Sequence, residues 1–176
     1  MTRPIYVGAW RVDVDVRDGV PRVLPSAVVA RVAAAALDAA RAPAPASIGL
    51  ILSDDTELAA LNEAHMGKRG STDVLSFPLL PPGAFAPGTV VPDTPRPPRS
   101  RLHLGDVVIS VERAIDQAEA GRGGWTGDVR WSPSDELRLL VSHGVLHVCG
   151  WDHATPQDEA AMRALERWLL SGGDRR

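Results

Sequence analysis

Three of the five histidines fall in one short stretch, His143-Gly144-Val145-Leu146-His147-Val148-Cys149-Gly150-Trp151-Asp152-His153. Residues four apart on a helix stand on one face, one turn above the other. His143 and His147 can therefore aim their imidazoles at a single point. Gly150 permits the left-handed backbone that commonly closes a helix, and the chain can then double back to bring His153 to the pair. Three neutral imidazoles converging, with a fourth position left for water, are the donor set of a catalytic zinc. A lone helical histidine is ordinarily a packed or surface residue. The i, i+4 pair followed by a third histidine after a glycine turn makes one metal ion the stronger reading. No carboxylate or thiolate obviously completes the set, which favours zinc over iron or copper. Imidazole alone separates these metals poorly, so nickel or copper could bind in vitro.

The same spacing matches the H-E-x-x-H-x-x-G-x-x-H zinc protease pattern ligand for ligand, except that Gly144 stands where the general-base Glu belongs. Peptide hydrolysis needs that carboxylate to move a proton from water to the leaving amine. Phosphodiester cleavage needs it less, because a metal acidifies water and stabilises charge on phosphate oxygens. In RNA the adjacent 2′-hydroxyl can instead be the nucleophile. The missing Glu tilts the reading from peptidase to nuclease.

The elements that must position these residues are legible. Ser132-Pro133-Ser134-Asp135 reads as an N-cap, a proline at the first helical position and an acid in the first turn. Leu137, Leu140, Val141, Gly144, Val145 and Val148 then form an apolar stripe, with His143 and His147 at its edge. The spacing predicts a mostly buried helix whose histidine edge faces a cleft. Upstream, Val12, Val14 and Val16 alternate with Asp13, Asp15 and Arg17 as in a half-buried strand. A helix is expected from Pro25 to about Arg41, a buried strand over Ser47 to Ser53, and a helix from the Asp54 cap to about His65. A loop from Met66 to Ser71 leads into a short strand over Thr72 to Pro78. Eight prolines between Pro78 and Pro98 exclude a regular helix or central strand, so an extended surface loop is expected over about 78–101. Leu102 to Ser110 reads as a strand and Val111 to about Ala120 as a helix, broken at Gly121. Thr155-Pro156-Gln157-Asp158 opens a last helix with Met162, Leu165 and Leu169 on one face. The expectation is thus about four strands and about five helices in a single domain, with the metal at the end of a central buried helix.

Composition sets outer limits. The chain has 176 residues, 44% hydrophobic and 23% charged, as expected of a soluble globular domain. No apolar run is long enough to span a membrane, and the N-terminus lacks the apolar core of a signal peptide. The single cysteine, Cys149, forms no internal disulfide, which suits a cytoplasmic protein. It should point away from the histidine edge as a small buried hydrophobe. The net charge of −3 is not the basic field of a dedicated nucleic-acid binder. A polyanionic substrate would be handled by the metal and a local patch.

The stretch His143-Gly144-x-x-His147-x-x-Gly150-x-Asp152-His153 does not stand alone. Taken with Leu61-Asn62, Thr72-Asp73-Val74-Leu75-Ser76-Phe77-Pro78 and Leu104-Gly105-Asp106-Val107, it resembles the YbeY family of single-strand-specific metallo-endoribonucleases. The order and spacing match across nearly the whole chain. The resemblance implies an α+β fold with a small mixed sheet and one zinc on His143, His147 and His153. It also implies a role in late 16S ribosomal RNA processing and ribosome quality control. The sequence departs from the family at one place: where an Arg-Gly-Lys run is common, this chain has Met66-Gly67-Lys68. The lysine matches and the arginine does not, and Arg69 is the nearest replacement charge. The proline-rich stretch is also longer than the family's connection.

Other residues are weaker candidates. Lys68, the only lysine, can supply a second positive charge at the reaction centre, or be a solvated loop residue. Asp152 can accept a hydrogen bond from a liganding imidazole, or stabilise the turn. Trp125 and Trp151 can stack on bases, or pack in the core. Asp73 and Asp106 read as strand-end caps, and His65 and His103 carry no assigned role. Three classes follow: a zinc endoribonuclease on single-stranded ribosomal RNA, a zinc peptidase, and a non-catalytic ribosome-associated zinc module. For the first, the weak overall field implies a ribosome or small-subunit protein that delivers the RNA. DNA and membrane partners are not expected.

Overall fold

The structure, a computed structural model, describes residues 3–85, 100–121 and 131–172. The chain runs β1 (Ile5–Val7), β2 (Trp10–Val16), α1 (Ser26–Ala39), β3 (Ala46–Ser53), α2 (Asp55–Met66) and β4 (Val74–Pro78). A 3-10 turn at Pro82–Phe85 follows, then β5 (Leu102–Ser110), α3 (Val111–Glu119), α4 (Pro133–Val148) and α5 (Pro156–Leu170). One mixed sheet has the order β1-β2-β3-β5-β4. Strands β2, β3 and β5 are parallel, and β1 and β4 pair antiparallel at the two edges.

The sheet thus has five strands where the sequence predicts about four. The additional strand, β1, pairs Ile5 with Val12 and Val7 with Trp10 across a turn at Gly8. Three residues are too few to display the alternation that identifies a strand from sequence. The α+β class and the five helices stand as expected. Most of the proline-rich stretch lies outside the described residues, as do Trp125 and the residues 122–130 that follow the Gly121 break after α3.

The two faces of the sheet differ. Trp10, Val12, Val14, Ile48, Leu50, Leu52, Val107 and Ile109 are buried on the face covered by α1 and α4. The α1 contribution is largely alanine (Ala30, Ala33, Ala34, Ala36), which lets that helix lie close to the strands. Each fully buried Leu or Ile contributes roughly 1.5–3 kcal/mol, so this layer carries most of the stability. The opposite face holds a smaller cluster, Leu58, Leu75 and Val108, under α2.

Local signals fix the helix ends. Ser132 and Asp135 form a capping box at α4, with Pro133 at its start. Asp54 caps α2, Ser110 caps α3 and Thr155 caps α5 through side-chain acceptors. Asp55 accepts hydrogen bonds from Ser71, Ser110 and Arg113, tying α2 to the β4 approach and to the start of α3. No helix among the described residues is long and apolar enough to cross a membrane.

Candidate metal centre

The position of α4 is set by Gly144. A Cβ there would lie 2.3 Å from Val107 Cγ1 and 3.0 Å from Val74 Cγ2. The helix is therefore seated directly on β4 and β5, and Ser76 Oγ donates to the Gly144 carbonyl at 3.0 Å. With residue 144 turned into the sheet, His143 and His147 are left on an adjoining edge, both only half-buried. Gly150 then takes a left-handed φ of 83° and packs against Pro82. Bonds from Gly150 N to the His147 carbonyl and from Trp151 N to the Leu146 carbonyl close the helix end. The chain reverses and presents an exposed His153 to the pair.

The structure brings the three predicted ligands together. One donor nitrogen from each of His143, His147 and His153 lies within 4.8 Å of the others. The Nε2 atoms of His143 and His147 are 3.0 Å apart. The His143–His153 and His147–His153 ring centroids are 6.0 and 5.1 Å apart. All three offer ring nitrogens at that separation, so the set fits one divalent cation.

Two contacts hold the rings. His143 Nδ1 lies 2.7 Å from Glu166 Oε1 on α5, and Glu166 is 3% exposed. A carboxylate at that nitrogen holds the proton on Nδ1 and turns the Nε2 lone pair towards the cluster. The His147 ring hydrogen-bonds the Trp151 backbone. Burial, and then the neighbouring His143 and His153, lower its pKa from the ordinary 6.5, so the neutral ligand form persists to more acid pH.

The folded value lies below the unfolded one, so this group's contribution to stability is fully present above about pH 6.5. It is lost as pH falls through the lowered folded value, because the unfolded ring binds its proton first. Metal-free protein should therefore lose stability on acidification below about pH 6.5. The loss should be smaller in His147→Asn, which has no ring to protonate. Equal losses in urea melts of the two proteins would refute this assignment.

Sequence reading points to Asp152 as the imidazole's acceptor; the structure puts Glu166 there instead. The signal was present: Glu166 is four residues after Met162 and next to Leu165, a carboxylate set in the apolar stripe of α5. Asp152 Oδ1 instead accepts the His153 backbone N–H at 2.8 Å, a turn contact, while its charge acts on His147 in the direction opposite to burial. Glu166→Gln keeps the shape and removes the charge. It should weaken metal binding by about 10–100-fold, measured by chelator competition, with the metal-free melting temperature little changed.

Lys68 is exposed just past the left-handed Gly67 that ends α2, and among the described residues no hydrogen bond or ion pair joins its side chain to the histidines. Its loop is anchored, since Asn62 Nδ2 donates to the Gly70 carbonyl at 2.9 Å. Arg69 Nε lies 3.7 Å from Glu63. His65 packs edge-on against Phe77, and His103 bridges Ser47 and Asp106. Cys149 is buried in the core, and burial pushes its thiol up to about 12. A groove of about 1060 Å³ runs along the outside of the turn, lined in part by Phe85, Trp151 and Leu165. None of the three histidines lines it, so this groove and the clustered imidazoles are separate features.

Comparison with known proteins agrees with this architecture. The chain resembles the solution structure of TM1509 from Thermotoga maritima with a TM-score of 0.52 at 16% identity. That match covers 93% of this chain and 89% of the other, and shows a shared fold. In sequence it is 41% identical over 147 residues to a protein of Thermobifida fusca named endoribonuclease YbeY, covering 82% of this chain and 83% of that one. It is 35% identical over 161 residues to the protein of the same name from Roseiflexus sp., covering 90% of each. The family model described as endoribonuclease YbeY matches residues 20–172. That span contains the sheet from β3 onwards, the capped α4 and the histidine turn; the chain belongs to the endoribonuclease YbeY family.

Proposed function

We propose that this protein cleaves single-stranded RNA as a zinc-dependent endoribonuclease, acting in 16S ribosomal RNA 3′-end maturation and late ribosome quality control. One observation carries the reading: three imidazoles converge beside a helix position that is packed against the sheet and has no room for a carboxylate. The names of the relatives support the RNA substrate. Zinc fits the donor set best among the divalent ions.

A cation bound there supplies positive charge to phosphate oxygens and acidifies water. The chain's own residues supply the rest. Glu166 fixes the His143 tautomer, the Trp151 backbone fixes the His147 ring, and His153 stands at the mouth. Lys68 is assigned as a substrate contact or as a charge that stabilises the transition state. Trp151, half-buried against the core and lining the outer groove, is assigned as a surface on which an unpaired base stacks. With a net charge of −3 the overall field does not gather RNA. A small-subunit protein or the assembling ribosome in the cytoplasm is therefore assigned the delivery of substrate.

The peptidase alternative meets an obstacle in the fold. At its general-base position a side chain would run into Val107 and Val74. The experiment that decides among the classes is a parallel assay on one preparation of known metal content. Single-stranded RNA, duplex RNA and a denatured protein are offered with and without chelator. Cleavage confined to single-stranded RNA and abolished by chelation is the expected result. Proteolysis alone would establish the peptidase. Unfolding on chelation with neither substrate cut would establish a structural zinc module. In the same assay Lys68→Ala should lower cleavage by about tenfold or more, the effect of losing a charge-assisted contact, with metal content unchanged.

A further inference from the structure

Away from the histidines, a second groove of about 540 Å³ runs between α1, α4 and α5. Much of its wall is apolar: Val28 and Val32 come from α1, and Leu169 and the exposed Trp168 from α5. Arg31, Arg138 and Ser142 also line it. Ser142 is 1% exposed, and its Oγ has no hydrogen-bond partner among the described residues. A helical serine normally turns back to the carbonyl one turn earlier; here both its donor and its acceptor are open. Among the described residues neither Arg31 nor Arg138 has a hydrogen bond or ion pair. Asp38, the groove's one carboxylate, already accepts the Trp10 indole N–H at 2.8 Å.

We propose that this groove binds a small amphipathic anion, a carboxylate, sulfonate or phosphate head on an apolar body. The helix pairing supports it. Ser134 Oγ bonds the Val23 carbonyl, so α1 and α4 start side by side. Arg31 and Arg138 each stand five residues after the start of their helix, and both line the groove. An anionic head between them accepts from both guanidiniums and from the Ser142 hydroxyl. The body lies against Val32, Leu169 and the Trp168 indole. The cavity has the size of a small-molecule site, and none of the three metal-site histidines lines it.

The test uses the full chain and two probes, decanoate and 8-anilinonaphthalene-1-sulfonate, titrated by calorimetry. Each should bind once and displace the other. Decanol, with the same chain and no charge, should bind at least about tenfold more weakly. Arg31→Ala/Arg138→Ala should weaken both probes by about tenfold or more, and Ser142→Leu should fill the groove and abolish binding. If Ser142→Leu fails to fold, the double arginine variant decides, since neither arginine is buried. Equal binding by that variant, decanol binding as tightly as decanoate, or no binding by folded wild type at about 1 mM overturns the proposal. None of these readouts depends on RNA cleavage.

Discussion

His147→Ala is expected to yield a folded protein that binds zinc poorly and cuts single-stranded RNA about a thousand-fold more slowly. That is the scale on which one preorganised electrostatic group acts at a transition state. His147 stands at the edge of α4, half-buried, and its ring is held through the Trp151 backbone, so truncation orphans no charged partner. Far-ultraviolet circular dichroism and the metal-free melting temperature should stay close to wild type while metal content falls. His143→Ala is a different experiment. It removes the imidazole that hydrogen-bonds Glu166, which is 3% exposed. Leaving that buried carboxylate without its hydrogen bond costs about 1–3 kcal/mol, so His143→Ala should lose stability as well as metal. Retention of one zinc per chain and cleavage within a few-fold of wild type in His147→Ala would remove the basis for the site.

The second large effect concerns the helix seat. Gly144→Glu restores the zinc protease pattern in sequence and should yield no peptidase. The new Cβ would start 2.3 Å from Val107 Cγ1, and the carboxylate would follow it against the sheet. Overpacking alone costs about 1–3 kcal/mol, and an unpaired buried charge adds to that. Gly144→Ala isolates the first part and should lower stability by about 1–3 kcal/mol. Val107→Ala in the same chain should return part of the loss, because it clears the atom that the new methyl meets. A stable Gly144→Glu protein with the metal still bound would show that α4 can lift off the sheet, and the argument against a peptidase would lapse.

Much of this was legible in the residues. The capping sequence at Ser132, the apolar stripe of α4 and the Gly150 turn together predict where His143, His147 and His153 meet, because all of those constraints are local. The alternation at Val12, Val14 and Val16 gave β2 for the same reason. What the sequence concealed is non-local. Glu166 belongs to the site only because α5 folds back against α4, and no spacing rule links residues 143 and 166. Edge strand β1 exists only through its pairing with β2. Gly144 read as an absent general base; the close approach of Val107 and Val74 gives its presence a packing reason as well.

The dependence of His143 on Glu166 has a thermal consequence. Of the residues in α5, only Met162 and Glu166 are fully covered, with Leu165 and Leu169 packed at the margin. A helix held along so narrow a strip detaches at lower cost than the sheet unfolds. On warming, the brace behind one imidazole should therefore swing away while the strands remain intact. Enzyme inactivation should come below the cooperative melt, and the amides of α5 should take up deuterium ahead of those in β3. The working temperature of the site is set by its most loosely attached helix.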